Sequence, residues 1–140
     1  MLIKVIDFGY SQLPERGHYN DAGADVRVCM HDKNSITIWP HTTEAIPLGY
    51  GLEIPDGYMA CVFPRSGLSK NGIVCELPPI DSGYRGEIHA IVHNGSNVKQ
   101  QFKNGERIGQ LVILPVIMAD FVTDLGDDRG NGAFGSTGLK

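Results

Sequence analysis

The stretch "TEAIPLGYGLEIPDGYMACVF", Thr43 to Phe63, decides the fold class. It holds two runs rich in apolar and β-branched residues, "TEAIPLGYGLEI" and "YMACVF", separated by "PDG". Proline presets φ and glycine accepts a positive φ, so this tripeptide is a turn signal with a mechanism. Short apolar runs bounded by such signals read as strands. The same pattern extends outward in both directions. "LIKVI", "ADVRVCM" and "SITIW" precede the stretch, and "GIVCEL", "EIHAIVHN" and "RIGQLVILPVIMADFV" follow it, with "HDKNS" and "NGSN" as further turns. Eighteen glycines and eight prolines leave no long stretch of helical period and no internal repeat. Many short strands at roughly 8–12-residue spacing predict an all-β sandwich or barrel. One short helix is expected over "SGLSKN", Ser66 to Asn71.

The chain has 140 residues, enough for one domain with a real core. Its formal net charge of −4 argues against a nonspecific nucleic-acid binder, which presents a basic face. No apolar run approaches the ~20 residues that a membrane helix needs. The opening "MLIKVIDFGY" has the character of neither a signal peptide nor a transit peptide. A soluble, cytoplasmic protein is the expectation. Three cysteines, Cys29, Cys61 and Cys75, are far apart with no C-x-x-C, and read as reduced packing residues. His89 and His93 have i,i+4 spacing, but on a strand four residues span roughly 13 Å, so hydrogen-bonded strand histidines are expected rather than a metal pair.

From Gly126 the chain becomes "GDDRGNGAFGSTGLK", glycine-rich with almost nothing to bury. Such a segment cannot offset its ordering entropy, so the division expected is a β core over 1–125 and a mobile arm over 126–140. The arm contains G-x-G-x-x-G at Gly130, Gly132 and Gly135. A dinucleotide-binding fold would need a helix behind it, and too little chain follows. What survives is a run of exposed backbone N–H groups with Arg129, Ser136 and Thr137 as added donors, suited to wrapping phosphate.

Four more stretches surround isolated polar groups with turn residues. "DAGADV" offers Asp21 and Asp25, "FPRSGLSK" offers Arg65, Ser66 and Lys70, "IDSGYRGE" offers Asp81, Tyr84 and Arg85, and "NGERIGQL" offers Arg107 and Gln110. Taken singly, each is an ordinary turn or strand end. In order, "AGADV", "PRSGLS", "IDSGYRGE", "GERIGQL" and "RGNGAFGSTG" resemble the five motifs of the trimeric dUTPase family.

That resemblance implies a jelly-roll-like β-barrel or sandwich with one short helix and a flexible C-terminal arm. It also implies a homotrimer with shared active sites, each arm closing over a neighbour's site. The implied reaction is Mg²⁺-dependent hydrolysis of dUTP to dUMP and pyrophosphate by water attack on the α-phosphorus. Asp81 would be the catalytic carboxylate that orients the water and takes its proton. Tyr84 would pack on the deoxyribose and leave no room for a 2′-hydroxyl. Arg65 and Ser66, with Gly67 beside them, would contact phosphates, as would Gln110. Asp25 would act on the metal through water, since Mg²⁺ usually keeps several waters. Arg129, Ser136 and Thr137, with Gly135, would hold the γ-phosphate, and Phe134 would stack on the uracil.

The segment before the carboxylate departs from the family pattern. Pro78 and Pro79 stand where glycine or a small residue is usual, and proline has no N–H to give. The Pro78 carbonyl, Ile80 and the backbone at His89 remain for the base. Gly83 also replaces a common acidic residue. The related dCTP deaminases form one alternative, but their return-strand glutamate would fall at Ile91. A dUTPase-like protein working through protein contacts is the other; it would be signalled by loss of Asp81, Arg65 or the arm, and all are present.

Overall fold

The computed structural model describes residues 1–124, so the expected arm over 126–140 lies outside the described residues. Ten strands and one helix follow in order: β1 (Lys4–Asp7), β2 (Ala24–Arg27), β3 (Ser35–Ile38), β4 (Thr43–Pro47), β5 (Tyr50–Glu53), β6 (Tyr58–Phe63), α1 (Ser66–Ser69), β7 (Ile73–Glu76), β8 (His89–Asn94), β9 (Gln100–Lys103) and β10 (Arg107–Pro115). They pair antiparallel into four small sheets with strand orders β1-β5, β2-β10-β6, β3-β9 and β4-β8-β7. The architecture is the expected jelly-roll type, nearly all β with one short helix. Of the two forms expected, the sandwich holds: the sheets do not close into a barrel.

Side-chain alternation explains which faces meet. In β8, Ala90, Val92 and Asn94 are buried while His89, Ile91 and His93 point away. β2 and β3 alternate in the same way, as a half-buried strand must when its period is two. The buried faces converge on one core that includes Val26, Ile38, Ile46, Leu48, Tyr50, Ile73, Ile88 and Ile108, each almost wholly shielded. Burying one such aliphatic side chain stabilises by about 1.5–3 kcal/mol, so this cluster holds the sheets together. One polar side chain is fully buried among the described residues. Asn94 donates from Nδ2 to the carbonyls of Ile38 and Val98, both at 2.9 Å, and accepts at Oδ1 from the Ser96 amide at 3.0 Å.

Four expectations about elements need correction. The run Thr43 to Ile54 is not one strand: it breaks at Leu48–Gly49, where Gly49 takes φ +86° and a Cβ would meet Cys29 Sγ and Tyr10 Cα at 2.8 Å. Only glycine fits that turn. The run from Arg107 to Val122 is a strand only to Pro115, after which a last bond from the Val116 amide to the Gly57 carbonyl at 2.8 Å closes the pairing. Finally, β9 stands where no strand is expected, because Phe102 is the lone buried residue of "QQFK". The helix is also shorter than expected, Ser66–Ser69.

Candidate active site

The site begins where β7 and β8 part. Their ladder runs from Ile73–Asn94 to Glu76–Ile91 and then stops. Prolines at 78 and 79 deny the next residues the donors a ladder needs. The chain instead crosses to β6, where Ile80 and Ala60 exchange backbone hydrogen bonds at 2.8 and 3.1 Å. The splayed hairpin leaves a pocket of about 220 Å³ lined by Pro78, Pro79, Ile80, Asp81, Tyr84, Glu87, His89 and Ile91. Five expected site residues, Pro78, Ile80, Asp81, Tyr84 and His89, therefore share one cavity. Because both backbone groups of Ile80 are engaged with Ala60, it meets the pocket through its side chain.

Asp81 is exposed, and its carboxylate has no hydrogen-bond or ion-pair partner among the described residues. Its carbonyl accepts from the Tyr84 amide at 3.1 Å, closing a turn. Arg85 steadies the turn by donating to the Ser82 carbonyl at 2.6 Å. The Tyr84 ring folds back so that its hydroxyl donates to the Glu87 carbonyl at 2.8 Å. That path crosses Gly86, where a Cβ would lie 2.5 Å from the Tyr84 hydroxyl. Any larger residue at 86 would push the ring out. A second cavity of about 580 Å³ reaches Asp81 from its other side, lined by Asp56, Tyr58, Met59 and Met118 among others.

A second group of expected residues gathers at the far end of β6. Gln110 lies opposite Asp25 on β2 and opposite Phe63 on β6, and its Nε2 donates to the Pro64 carbonyl at 3.0 Å. Its side chain covers Gly23, where a Cβ would overlap it, which is why the first motif carries glycine there. Ala22, Gly23, Phe63, Pro64 and Gln110 line a cleft of about 330 Å³. Asp25 pairs with Arg107 Nε at 3.4 Å. Arg65 precedes α1 in extended conformation and Ser66 opens it, followed by Gly67. The side chains of Arg65 and Ser66 make no hydrogen bond or ion pair with any described residue.

One chain does not bring the two groups into one pocket. Ile80 sits against Ala60, and its antiparallel course carries Asp81 towards Met59 and Asp56. Gln110 sits against Phe63, and Arg65 continues in the opposite direction. The two anchor points are three residues apart, roughly 10 Å along the strand, and the reactive groups diverge from there. Arg129, Phe134, Gly135, Ser136 and Thr137 lie outside the described residues.

The remaining expectations can be placed individually. His89 Nδ1 lies 3.2 Å from the Glu87 carbonyl, and His93 Nδ1 lies 2.9 Å from Thr43 Oγ1, as hydrogen-bonded strand histidines. All three cysteines are free. Burial pushes the Cys75 thiol up to about 11 and raises that of Cys61. Among the described residues no three His, Cys, Asp or Glu side chains cluster to hold a metal. An Mg²⁺ carried mainly by substrate phosphates and water would ask no such cluster of the described residues, and Asp25, held by Arg107, would be its outer carboxylate. No described helix is long and apolar enough to cross a membrane. The residue that the motifs alone do not single out is Glu87, whose partners lie far away in sequence.

The splayed β-hairpin presents a carboxylate, and the sandwich an arginine and a serine, that have no side-chain partner among the described residues, groups chemically suited to hydrolysis of a phosphorylated substrate. The comparisons agree. The family model for dUTPase matches residues 9–138. The deoxyuridine 5'-triphosphate nucleotidohydrolase of Tropheryma whipplei (strain Twist) is 41% identical over 146 residues, covering 99% of this chain and 96% of its own. That of Hahella chejuensis is 39% identical over 150 residues, covering 100% and 97%. Among solved structures, the dUTPase from phage phi11 of S. aureus superposes with a TM-score of 0.81 at 22% identity, over 92% of this chain and 99% of that one, a likeness of fold. The chain belongs to the dUTPase family.

Proposed function

We propose that this enzyme hydrolyses dUTP to dUMP and pyrophosphate, keeping uracil out of DNA and supplying dUMP for thymidylate synthesis. The observation that carries the proposal is the Asp81 carboxylate, exposed and without a partner among the described residues, on the same pocket wall as Tyr84. Asp81 orients the attacking water and accepts its proton as it approaches the α-phosphorus. The pocket between Pro78 and His89 takes the base, with the Pro78 carbonyl as acceptor. Tyr84 packs on the deoxyribose and leaves a 2′-hydroxyl no space. Arg65, Ser66 and Gln110 receive the phosphates and stabilise charge growing on the leaving pyrophosphate. Arg129, Ser136 and Thr137 hold the γ-phosphate, Gly135 lets the arm approach, and Phe134 covers the base. Asp25 would hold the water shell of an Mg²⁺ accompanying the triphosphate, and that ion would supply neutralisation of phosphate charge.

The active unit is a homotrimer whose sites draw on more than one copy. Two features support this. Asp81 and Arg65 leave opposite ends of β6 within one chain. Beyond Pro115, Ile117, Met118, Phe121 and Val122 are nearly bare, with Phe121 at 96% exposure, a run of apolar surface that water disfavours and a neighbouring copy would cover. The free cysteines suit a reducing cytoplasm. Ile91 faces the pocket where a deaminase would need an acid, and it has no proton to exchange.

The test is product analysis with dUTP, dCTP and UTP in the presence of Mg²⁺. dUMP and pyrophosphate from dUTP alone is the expected result, and release of dUTP from dCTP, or no turnover of dUTP, would overturn it. Sharing of sites is tested by co-refolding Asp81→Asn with Arg65→Ala, each inactive alone. Random assembly gives about a quarter of the sites an intact pair, hence about a quarter of wild-type activity. A mixture as inactive as its parents would place each site within one chain.

A further inference from the structure

Glu87 is tied at both ends, and its two ends hold different parts of the molecule. Its carboxylate accepts the Gly49 amide at 2.9 Å, gripping the turn between β4 and β5. The same carboxylate meets His31, whose Nε2 lies 2.9 and 2.8 Å from its two oxygens, close enough to donate to either. Its main-chain carbonyl accepts the Tyr84 hydroxyl at 2.8 Å. Next to it the Gly86 carbonyl presses so closely on β5 that a Cβ at Gly51 would lie 2.5 Å from it. The Glu87 side chain is largely shielded, at 14% exposure, and its residue lines the same pocket as Asp81 and Tyr84.

Two of these bonds cannot be read as surface ornament. The Gly49 amide is buried in a turn that only glycine can make, so an acceptor there is needed. The partner His31 is 56 residues away in sequence, so the contact links separate loops rather than tidying one. Tyr84, by contrast, is 43% exposed and has few neighbours to hold it. A ring whose task is to refuse one hydroxyl group must be held within a fraction of an ångström. Among the described residues the hydrogen bond that holds its outer edge goes to the Glu87 carbonyl. That carbonyl belongs to the peptide whose Ile88 amide donates to the Tyr50 carbonyl at 2.9 Å, and the clasp to Gly49 and His31 fixes the Glu87 side chain beside it.

We propose that Glu87 and His31 are positioning residues for sugar discrimination, setting how closely Tyr84 approaches the 2′-carbon. This rests on the reading of the site as a dUTP hydrolase. Asp81 is not touched by the clasp, so the chemical step is spared while the selection of substrate is altered.

The experiment compares wild type, Glu87→Ala, Glu87→Gln and His31→Ala by steady-state hydrolysis of dUTP and UTP, and by calorimetric binding of dUMP and UMP. In Glu87→Ala the dUTP-over-UTP ratio of kcat/KM falls by about tenfold, carried by KM, with kcat on dUTP within about twofold. His31→Ala shows the same split at about threefold, since the Gly49 bond remains. Glu87→Gln restores most of the ratio, because its amide oxygen still accepts from Gly49 and its NH₂ can donate to a neutral His31. Exchange of the Gly49 amide, followed by NMR, is faster in Glu87→Ala and near wild type in Glu87→Gln. A folded Glu87→Ala protein with fast Gly49 exchange but unchanged discrimination in both rate and binding would overturn the proposal. So would an equal loss for both sugars, which marks general damage. A wild type that binds dUMP over UMP yet does not hydrolyse dUTP would sink the hydrolase reading and leave the clasp to be judged on the binding ratio.

Discussion

Glu87 makes hydrogen bonds in three directions around one pocket, whereas the side chain of Arg65, at the other end of β6, makes none with any described residue. The hairpin pocket is held by its own backbone and side chains before any ligand arrives. The strand-end cleft holds Gln110 in place on Pro64 but leaves its charged and hydroxyl groups open. Under the proposed function, the contrast follows from what each end would recognise. A base and a sugar differ from their competitors by single atoms, so rigid shape decides. A triphosphate is recognised by charge, which tolerates flexible donors.

The comparison can be broken most severely at Asp81. Asp81→Asn keeps the shape of the hairpin pocket and removes the proton acceptor, so kcat falls at least ~10²-fold while nucleotide binding persists. Single-turnover rates beside calorimetry check it, and retained turnover would remove Asp81 from its role. At the other end, Gly23→Val forces Gln110 off its perch on Pro64. The expected result is about a tenfold loss in kcat/KM for dUTP, with the preference over UTP unchanged, because Tyr84 is untouched. A shift in sugar preference would show that the two ends are not separable.

The smallest effect concerns the scaffold under both. Burial pushes the Cys75 thiol up to about 11 from 9.0, so the folded state keeps a proton that the unfolded chain releases. Stability from this group is complete below pH 9 and is lost as pH rises towards 11. Screening at a thiol that is not wholly enclosed limits the loss to about 1 kcal/mol. Urea midpoints measured between pH 8 and 11 test it: wild type declines over that window, and Cys75→Ala declines less.

The fold class was legible in the sequence because its strands are short apolar runs between glycine and proline turns, and that signal is local. Where it misled, the cause is identifiable. "QQFK" becomes β9 because β3 offers it an edge, not because its own residues demand it. Thr43 to Ile54 carries an unbroken apolar signal, and only the positive φ of Gly49 divides it. The hairpin pocket was legible for the same reason as the fold, since Pro78, Asp81, Tyr84 and His89 lie close together in the chain. The His31–Glu87 contact was not, because no periodicity connects residues whose meeting depends on intervening strands from all four sheets.

β6 sets the spacing between the two groups of expected site residues within a chain, with Ile80 seated on Ala60 and Gln110 on Phe63. Its central residues, Ala60, Cys61 and Val62, are buried. In evolutionary terms this strand behaves as a gauge block. One inserted residue would turn its buried face outward and shift the phosphate end relative to the carboxylate end. The segment from Tyr58 to Arg65 must keep its count for both groups of residues to keep their places on the sandwich.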